Sequence, residues 1–341
     1  MNNFYNMLNI CHFIASKGLG RGEFYIDLVN EIVENTEGIT TILIPVGSKY
    51  LNRINNKINV IEYKSKDSRT NPLLYIELYN IFRKNNFDIV HTHFAKSTEI
   101  FFRLNKILNI IHIATKHNPR KGKIFNKIKY VTAVSDDVAK SILKDNVKII
   151  YNGIKPVLLE ESKKNEIFTI RAIGRLDKIK GFDKLIKDFS NIKKECKLEI
   201  VGYGEEYSEL KKLVKDLKLE DKVNLLGFRE DIPSLIKSSD MVVMSSISEG
   251  FSIVMIESIF YAKLFISTKV SGCRDLLPQS LLIENFEISK KITEIMENID
   301  YYYKEFGKVK IKYQQELLLK NVVVKYLDYY EKVIKIENSC N

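Results

Sequence analysis

Two glutamates with seven residues between them, Glu249 and Glu257, flank a glycine turn whose chemistry suits an anion. The apolar run at residues 241–244 predicts a buried strand. Gly250 then turns the chain into an apolar segment that predicts a helix, with Ser252 as its N-cap. The first N–H groups of a helix have no partner inside it and carry partial positive charge, so this strand–turn–helix unit predicts a phosphate site.

The positions of the two carboxylates fit a nucleotide that carries a sugar. Glu257 comes five residues after Ser252, which is roughly 7–8 Å along a helix axis. That distance is comparable with the separation of a phosphate and a ribose in one nucleotide. A carboxylate only accepts hydrogen bonds, which suits a ribose diol. Glu249 lies on the other side of the phosphate site, where a sugar attached to the nucleotide would lie.

Positive charge follows an earlier predicted strand, in the motif Gly174-Arg175-Leu176 and then Lys180-Gly181. Both basic residues are predicted at the carboxyl edge of a parallel sheet, where ligands bind in such folds. Arginine offers a planar fork of donors and lysine a point charge. Together they can neutralise a diphosphate.

These two motifs resemble the donor-site signature of the family 4 retaining glycosyltransferases. The resemblance extends from a glycine loop near residue 20 to Glu257. It implies the GT-B fold, in which two Rossmann-like domains face a cleft, and sugar transfer with retention of configuration. It also implies that Glu249 contacts the donor sugar, that Glu257 binds the ribose, and that Arg175 and Lys180 hold the diphosphate without a metal.

Further site residues follow from the same resemblance. Residues 115–117 resemble the family's Thr-x-His, in which the histidine contacts the transferring sugar, and this identifies His117. The glycine loop departs from the family pattern because Arg21 separates Gly20 from Gly22, so which glycine approaches the diphosphate stays open. Arg229 follows a strand end near the expected nucleobase. The expected catalytic group is His117, Glu249, Arg175 and Lys180. The expected donor site is Gly20, Gly22, Arg175, Lys180, Arg229, Glu249, Gly250, Phe251, Ser252, Ile253 and Glu257.

The other histidines are not predicted to bind a metal. His91 and His93 lie at a strand end and are expected to point to opposite faces, with His93 on the acceptor side. A metal site would need a carboxylate or cysteine partner, and the sequence offers no convincing one. His12 and His112 are expected to be structural. We therefore expect neither a metal nor a cofactor besides the nucleotide-sugar co-substrate.

Strands and helices alternate along both halves of the chain, which predicts an α/β fold with a doubly wound parallel sheet in each of two domains. A polar stretch at residues 155–166 is the predicted linker. We place an acceptor-binding domain at residues 1–155 and a donor domain at residues 156–312. Residues 313–341 are expected to form a helix that crosses back to the first domain, as the resemblance implies.

Composition limits where the protein can act. The 341 residues contain no run of 18 apolar residues, so no membrane-spanning helix is expected. The four cysteines show no metal or redox spacing, which predicts reduced thiols in a cytoplasmic protein. The first 156 residues hold 23 of the 54 basic residues but only 13 of the 43 acidic ones. This excess predicts an anionic partner.

The basic excess is concentrated in residues 100–135, which contain eight Lys or Arg and no acid. At helical spacing, Ile124, Phe125 and Ile128 would share one face, flanked by Lys123 and Lys127. That pattern predicts a segment lying on an anionic membrane. The acceptor or membrane side is therefore assigned to His93, Arg120, Lys121, Lys123 and Lys127. Peripheral binding to the inner face of the cell membrane is expected.

The expected activity is transfer of a hexose or N-acetylhexosamine to a saccharide or lipid-linked acceptor in cell-envelope polysaccharide, capsule or lipopolysaccharide synthesis. UDP is the favoured nucleotide because it is the commonest in the family. A nucleotide-sugar 2-epimerase of the same fold is one alternative. A basic nucleic-acid-binding protein is another, but the sequence carries no motif of that class, so no nucleic-acid partner is expected. The sequence leaves the sugar, the acceptor and the linkage open.

Overall fold

The computed structural model describes residues 8–18, 24–120, 122–161 and 165–340. The chain divides into two compact units, one comprising Met1–Gly153 with Leu319–Asn341 and the other comprising Ile154–Leu318. A parallel bridge between Ile154 and Leu318 joins the two ends of the second unit. These divisions lie two residues before and six residues after the boundaries placed from the sequence at 155 and 312.

The first unit is built on a parallel sheet. Its strands are β1 (Asn9–Phe13), β2 (Ile39–Pro45), β3 (Asn59–Tyr63), β4 (Ile89–His93), β5 (Ile111–Lys116), β6 (Tyr130–Ala133) and β7 (Lys148–Ile149). Its helices are α1 (Phe24–Glu34), α2 (Pro72–Asn85), α3 (Phe94–Leu108), α4 (Asp136–Lys140) and α12 (Leu319–Cys340). Among the described residues the strand order is β3-β2-β1-β4-β5-β6-β7.

The second unit repeats this architecture. Its strands are β8 (Phe168–Ile173), β9 (Cys196–Val201), β10 (Val223–Gly227), β11 (Met241–Met244), β12 (Phe265–Thr268) and β13 (Leu282–Ile283). Its helices are α5 (Phe182–Phe189), α6 (Tyr207–Asp216), α7 (Ile232–Ser238), α8 (Ile253–Tyr261), α9 (Cys273–Leu276), α10 (Ile288–Glu297) and α11 (Ile299–Tyr313). Over the described part of this unit the strand order is β10-β9-β8-β11-β12-β13. The predicted α/β class with two doubly wound parallel sheets is confirmed.

Local sequence explains several of these elements. The Asn71 side chain accepts a hydrogen bond of 3.1 Å from the backbone N–H of Leu73, and Pro72 occupies the first turn of α2. An Asn-Pro pair favours a helix start, because asparagine caps the first turn and proline has no N–H to leave unsatisfied there. Helix α5 buries Phe182, Leu185, Ile186 and Phe189, whose spacing places them on one face of a helix.

The last helix returns to the first unit, as expected from the resemblance. Within α12, the hydroxyl of Tyr330 lies 2.6 Å from Nδ1 of His91 on β4. The rings of Tyr326 and His91 have centroids 5.6 Å apart. This helix therefore completes the core of the first unit. In the sequence it is separated from that unit's other elements by the 165 residues of the second unit.

The predicted membrane-facing helix near residue 124 is wrong. Lys123–Lys127 form a 3-10 helical segment, and Phe125 and Ile128 are buried, with 1% and 2% exposure. Gly122, at φ 112°, begins this segment, and the Phe125 ring lies so close to it that a Cβ on Gly122 would meet the ring at 2.7 Å. The apolar residues serve the core because the segment is too short to present one continuous face.

Candidate functional site

The candidate donor site lies at the carboxyl edge of the second sheet, where two loops from adjacent strands are joined. The loop after β8 contains Arg175 and Lys180, and the loop after β11 contains Glu249. The backbone N–H of Ile247 donates to the carbonyl of Ile179 at 2.7 Å. The Ser245 hydroxyl donates to the carbonyl of Lys180 at 2.9 Å. These bonds fix the two loops against each other.

Glycine is required at Gly181 for this close approach. Its φ of +64° is in the left-handed region, and a Cβ there would lie 2.4 Å from the carbonyl oxygen of Ser245. Side-chain-bearing residues are strained at such an angle, and the backbone oxygen cannot move aside cheaply. The glycine that ends the Lys-Gly motif therefore brings Lys180 to the loop that carries Glu249.

Lys180 and Glu249 form an ion pair. The Lys180 ammonium lies 2.6 Å from Oε1 of Glu249, and the side chains are 20% and 14% exposed. The Ser246 hydroxyl donates to the same carboxylate oxygen at 2.7 Å. The ammonium has three donors and the carboxylate a second oxygen, so both groups keep capacity for a ligand. The pair can offer a positive group to phosphate beside an acceptor for sugar hydroxyls.

Asp177 pairs with Arg175 and caps the turn that carries Lys180, and it was not identified from the sequence. Its Oδ2 accepts a hydrogen bond of 2.6 Å from Nε of Arg175. Its Oδ1 accepts from the backbone N–H groups of Ile179 at 3.1 Å and Lys180 at 3.2 Å, capping the turn at Lys178–Lys180. Its position three residues before Lys180 was the available signal, since an N-cap aspartate accepts from N–H groups two or three residues ahead.

The start of α8 agrees with the prediction in position but not in every contact. Ser252 occupies the N-cap position with an extended backbone, yet its side chain makes no capping hydrogen bond. Phe251 and Ser252 are buried, whereas Gly250 and Ile253 are half-buried. A Cβ on Gly272 would meet the Phe251 ring at 2.8 Å, so Phe251 packs closely there.

Glu257 is half-buried on α8, and burial raises its pKa to about 7. One turn later on the same helix, the Tyr261 hydroxyl accepts a hydrogen bond of 2.6 Å from the backbone N–H of Val157. Burial also raises the pKa of Tyr261, and the Glu257 charge adds to that effect. Hydrogen-bond donors from a ribose would favour the ionised form of the Glu257 carboxyl.

Arg229 lies after β10 and is exposed, but its guanidinium already has a partner. Nε and Nη2 donate to the two carboxylate oxygens of Asp231 at 2.8 and 2.7 Å. The pair uses two of the five guanidinium N–H donors, so Arg229 keeps donors for the expected nucleobase contact.

His91 and His93 point to the same face of β4, so the expectation of opposite faces is wrong. Side chains alternate along a strand with a period of two, and residues two apart share a face. The ring centroids of His91 and His93 are 4.3 Å apart. His12 on β1 joins this cluster, with its Nδ1 3.1 Å from Nε2 of His93. His117 follows β5, and its Nε2 lies 3.2 Å from Nδ1 of His93.

His12, His91 and His93 each place one ring nitrogen within 4.8 Å of the others, which is the kind of cluster that can bind a metal. Five of the six ring nitrogens are already at hydrogen-bonding distance from other groups, since His91 contacts both the Tyr330 hydroxyl and the Thr115 hydroxyl. The cluster includes no carboxylate. The hydrogen-bonded arrangement therefore does not favour a metal, and the expected absence of a metal stays a prediction.

The predicted basic run is partly neutralised by acids that lie outside it. Arg103 pairs with Glu99, and Lys129 pairs with Glu337 of α12 at 2.5 and 2.8 Å. Lys116 is buried, and its ammonium donates to the Ser141 hydroxyl at 2.8 Å. Arg120, Lys123 and Lys127 are exposed, as expected. Gly20, Gly22 and Lys121 lie outside the described residues. In the part of the chain that is described, no helix is long and apolar enough to span a bilayer.

Comparison with known families gives two adjoining matches. The family described as Glycosyltransferase Family 4 matches residues 45–157, and Glycosyl transferases group 1 matches residues 154–312. The chain is 29% identical over 248 residues to an uncharacterised glycosyltransferase of Methanocaldococcus jannaschii, covering 64% of this chain and 68% of the relative.

Two of the relatives carry names that state a diphospho-undecaprenol-linked acceptor. The N-acetylgalactosamine-N,N'-diacetylbacillosaminyl-diphospho-undecaprenol 4-alpha-N-acetylgalactosaminyltransferase of Campylobacter jejuni is 36% identical over 142 residues, covering 40% of this chain and 39% of the relative. The UDP-Gal:alpha-D-GlcNAc-diphosphoundecaprenol alpha-1,3-galactosyltransferase of Escherichia coli is 28% identical over 224 residues, covering 54% and 58%. The chain thus spans less than two thirds of either relative's length.

Solved structures match over nearly the whole chain. A glycosyltransferase from Rickettsia africae has a TM-score of 0.83 at 22% identity, covering 97% of this chain and all of that one. HepE from Anabaena, crystallised with UDP, has a TM-score of 0.81 at 16% identity, covering 95% and 100%. At these identities the matches establish the fold alone. The two family matches and the parallel-sheet units agree, and the chain belongs to the family 4 glycosyltransferases of the GT-B fold.

Proposed function

We propose that this glycosyltransferase moves a hexose or N-acetylhexosamine from a UDP-sugar to a saccharide or lipid-linked acceptor in cell-envelope polysaccharide, capsule or lipopolysaccharide synthesis. The transfer retains the anomeric configuration and needs no metal. The names of the C. jejuni and E. coli relatives support a diphospho-undecaprenol-linked acceptor, and UDP in the HepE crystal supports the nucleotide. The second unit binds the donor and the first unit the acceptor.

The observation that carries the proposal is the joined loop pair holding Arg175, Lys180 and Glu249. Arg175 and Lys180 neutralise the charge that develops on the diphosphate as the sugar departs, which is the role a metal would otherwise fill. Glu249 accepts hydrogen bonds from hydroxyls of the donor sugar, and Glu257 from those of the ribose. His117 contacts the transferring sugar.

The test is a turnover assay over UDP-, GDP- and ADP-sugars with a diphospho-undecaprenol-linked saccharide as acceptor. We expect turnover with a UDP-sugar, with the product anomer assigned by NMR. Changing Arg175 or Lys180 to Ala should lower turnover by at least about a hundredfold, the scale for losing one preorganised charge partner. Lys178→Ala is the matched control, because Lys178 is exposed in the same turn and has no proposed role.

Two results would contradict the proposal. Loss of activity in EDTA that a divalent metal restores would remove the metal-free mechanism. Conversion of a UDP-sugar to its 2-epimer without an acceptor would replace the transferase with the epimerase alternative. Calorimetric titration with UDP and with single-stranded DNA distinguishes the transferase and the epimerase from a nucleic-acid-binding protein. Either enzyme should bind UDP, whereas a nucleic-acid-binding protein should bind the DNA and not UDP.

A further inference from the structure

Three histidine rings of the first unit are joined end to end by hydrogen-bonding distances. Nδ1 of His12 faces Nε2 of His93 at 3.1 Å, and Nδ1 of His93 faces Nε2 of His117 at 3.2 Å. His12 and His93 are fully buried, and His117 is half-buried. The rings come from β1, from the end of β4 and from the residue after β5, so no local sequence pattern joins them.

At neutral pH each of the three imidazole rings is neutral and carries a proton on only one of its two nitrogens. Burial lowers the pKa of His12 and of His117 to about 3 and that of His93 well below its ordinary value. A neutral imidazole has one nitrogen that donates and one that accepts. Each hydrogen bond between two such rings therefore needs a protonated nitrogen on one side and a bare nitrogen on the other.

This requirement couples the three rings. If His12 donates from Nδ1, His93 must accept at Nε2 and donate from Nδ1, and His117 must then accept at Nε2 and hold its own proton on Nδ1. In the opposite sense all three protons sit on Nε2. Both senses obey one rule, which is that the three rings carry their protons on the same nitrogen. Nε2 of His12 has no hydrogen-bond partner among the described residues, so the chain ends there.

We infer that His12 and His93 are positioning residues that fix which nitrogen of His117 carries the proton. The inference rests on the proposed function, in which His117 contacts the transferring sugar. The sense of the chain decides whether Nδ1 of His117 offers a sugar hydroxyl an N–H donor or a bare acceptor. His12, a buried residue of β1, thereby sets the hydrogen-bonding character of the residue proposed to contact the sugar.

The direct test is NMR of the full-length protein labelled with ¹⁵N at histidine, because protonated and bare ring nitrogens have well separated shifts. Signals are assigned by single histidine substitutions. We expect His12, His93 and His117 each to show one tautomer, and the same one. Different tautomers within the three, or a mixture at His117, would overturn the inference. A stoichiometric metal in the purified protein whose removal changes the His12 and His93 signals would also overturn it.

Substitution tests the consequence for activity. His12→Leu removes the buried end of the chain, so we expect His117 to lose its single tautomer and turnover to fall about tenfold, the scale of one hydrogen bond. UDP affinity should stay unchanged. His112→Leu is the matched control, because His112 is also buried and its Nε2 contacts the Thr92 hydroxyl at 2.9 Å, outside the chain of three rings.

The two readouts separate the inference from the proposed function. A common tautomer in the wild-type protein with no glycosyl transfer would leave the coupling intact and remove the function. Transfer activity with mixed tautomers would support the proposed function and contradict the coupling of the three rings. If His12→Leu does not fold, the wild-type spectrum still decides the coupling. A His117 tautomer in folded His12→Leu that matches the wild type would show that His12 does not set it.

Discussion

The half-buried carboxyl of Glu257, which we propose to bind the donor's ribose, has a pKa that burial raises to about 7. Because burial raises this pKa above its usual value, the folded protein holds a proton that the unfolded chain has lost between about pH 4.5 and 7. The carboxyl therefore adds stability below pH 4.5 and loses that contribution as pH rises to about 7.

We predict that UDP binding to this protein releases protons near pH 6.5, because ribose hydroxyls donate to the Glu257 carboxylate and favour its ionised form. Calorimetry in buffers of different ionisation enthalpy measures the number of protons released. The same titrations give the UDP affinity, which Glu257→Ala should weaken by roughly 1.5–3 kcal/mol. The terminal phosphate of UDP also titrates near pH 6, roughly as other phosphate monoesters do. The quantity compared is thus the difference between wild type and Glu257→Gln, and equal release from both would contradict the assignment.

Two substitutions of Asp177 can distinguish its role in capping the turn at Lys178–Lys180 from its role in holding Arg175. Asp177→Asn keeps an oxygen that can cap the turn at Lys178–Lys180 but loses the charge that holds Arg175. We predict nearly unchanged stability for Asn and a loss of about 1 kcal/mol for Ala, the usual value of an N-cap. Turnover should fall about tenfold or more in both, because misplaced catalytic groups cost activity. Denaturant titration and initial rates test this, and undiminished turnover in Asp177→Asn would rule out the positioning of Arg175.

At the scale of elements, the loop pair depends on a backbone angle. We predict that Gly181→Ala destabilises the protein by at least about 1–3 kcal/mol, the cost of a strained left-handed residue, before its clash with Ser245 is counted. Gly307→Ala is the control. Gly307 lies within α11 with nothing within 4 Å of a Cβ, so alanine should stabilise it by about 0.5–1 kcal/mol. Equal midpoints in urea for the two variants would contradict the proposed need for glycine at Gly181.

The elements themselves were largely predictable, because their apolar periodicity is local. Strand β11 has the bounds of the apolar run at residues 241–244, and α8 begins directly after Ser252, the predicted N-cap. The donor-site loops were also identifiable, since their motifs follow strand ends. The row of three histidines was not, because His12 lies in β1, His93 ends β4 and His117 follows β5, and their rings meet only when these strands pair. Phe125 was misassigned for a related reason, since a short turn can bury residues that a helical pattern would expose.

At the scale of the whole molecule, the sequence around a basic residue does not show whether its charge is exposed and unpaired in the fold. Within the run of eight basic residues, Lys129 pairs with Glu337, which is 208 residues away, and Lys116 is buried. Exposed cations remain at Lys123 and Lys127 in the segment after β5. An exposed apolar residue is joined to this segment, namely Leu143, which is 82% exposed and whose backbone N–H donates to the Asn126 side chain at 3.1 Å. We propose that this surface, rather than a helix bearing Phe125, contacts an anionic membrane.

That proposal gives the last prediction, a test with vesicles made with and without anionic lipid at physiological salt. We predict binding to the anionic vesicles. Changing Lys123 and Lys127 together to Gln should reduce it about thirtyfold, since each basic residue near such a surface contributes about 1 kcal/mol. The control changes Lys211 and Lys212, exposed on α6 of the second unit, to Gln and alters the net charge equally. Leu143→Ser should weaken the remaining binding. Negligible binding to both vesicle types would point to a soluble acceptor. Equal reductions in vesicle binding by the two double substitutions would show that net charge, and not the surface at Lys123 and Lys127, determines the binding.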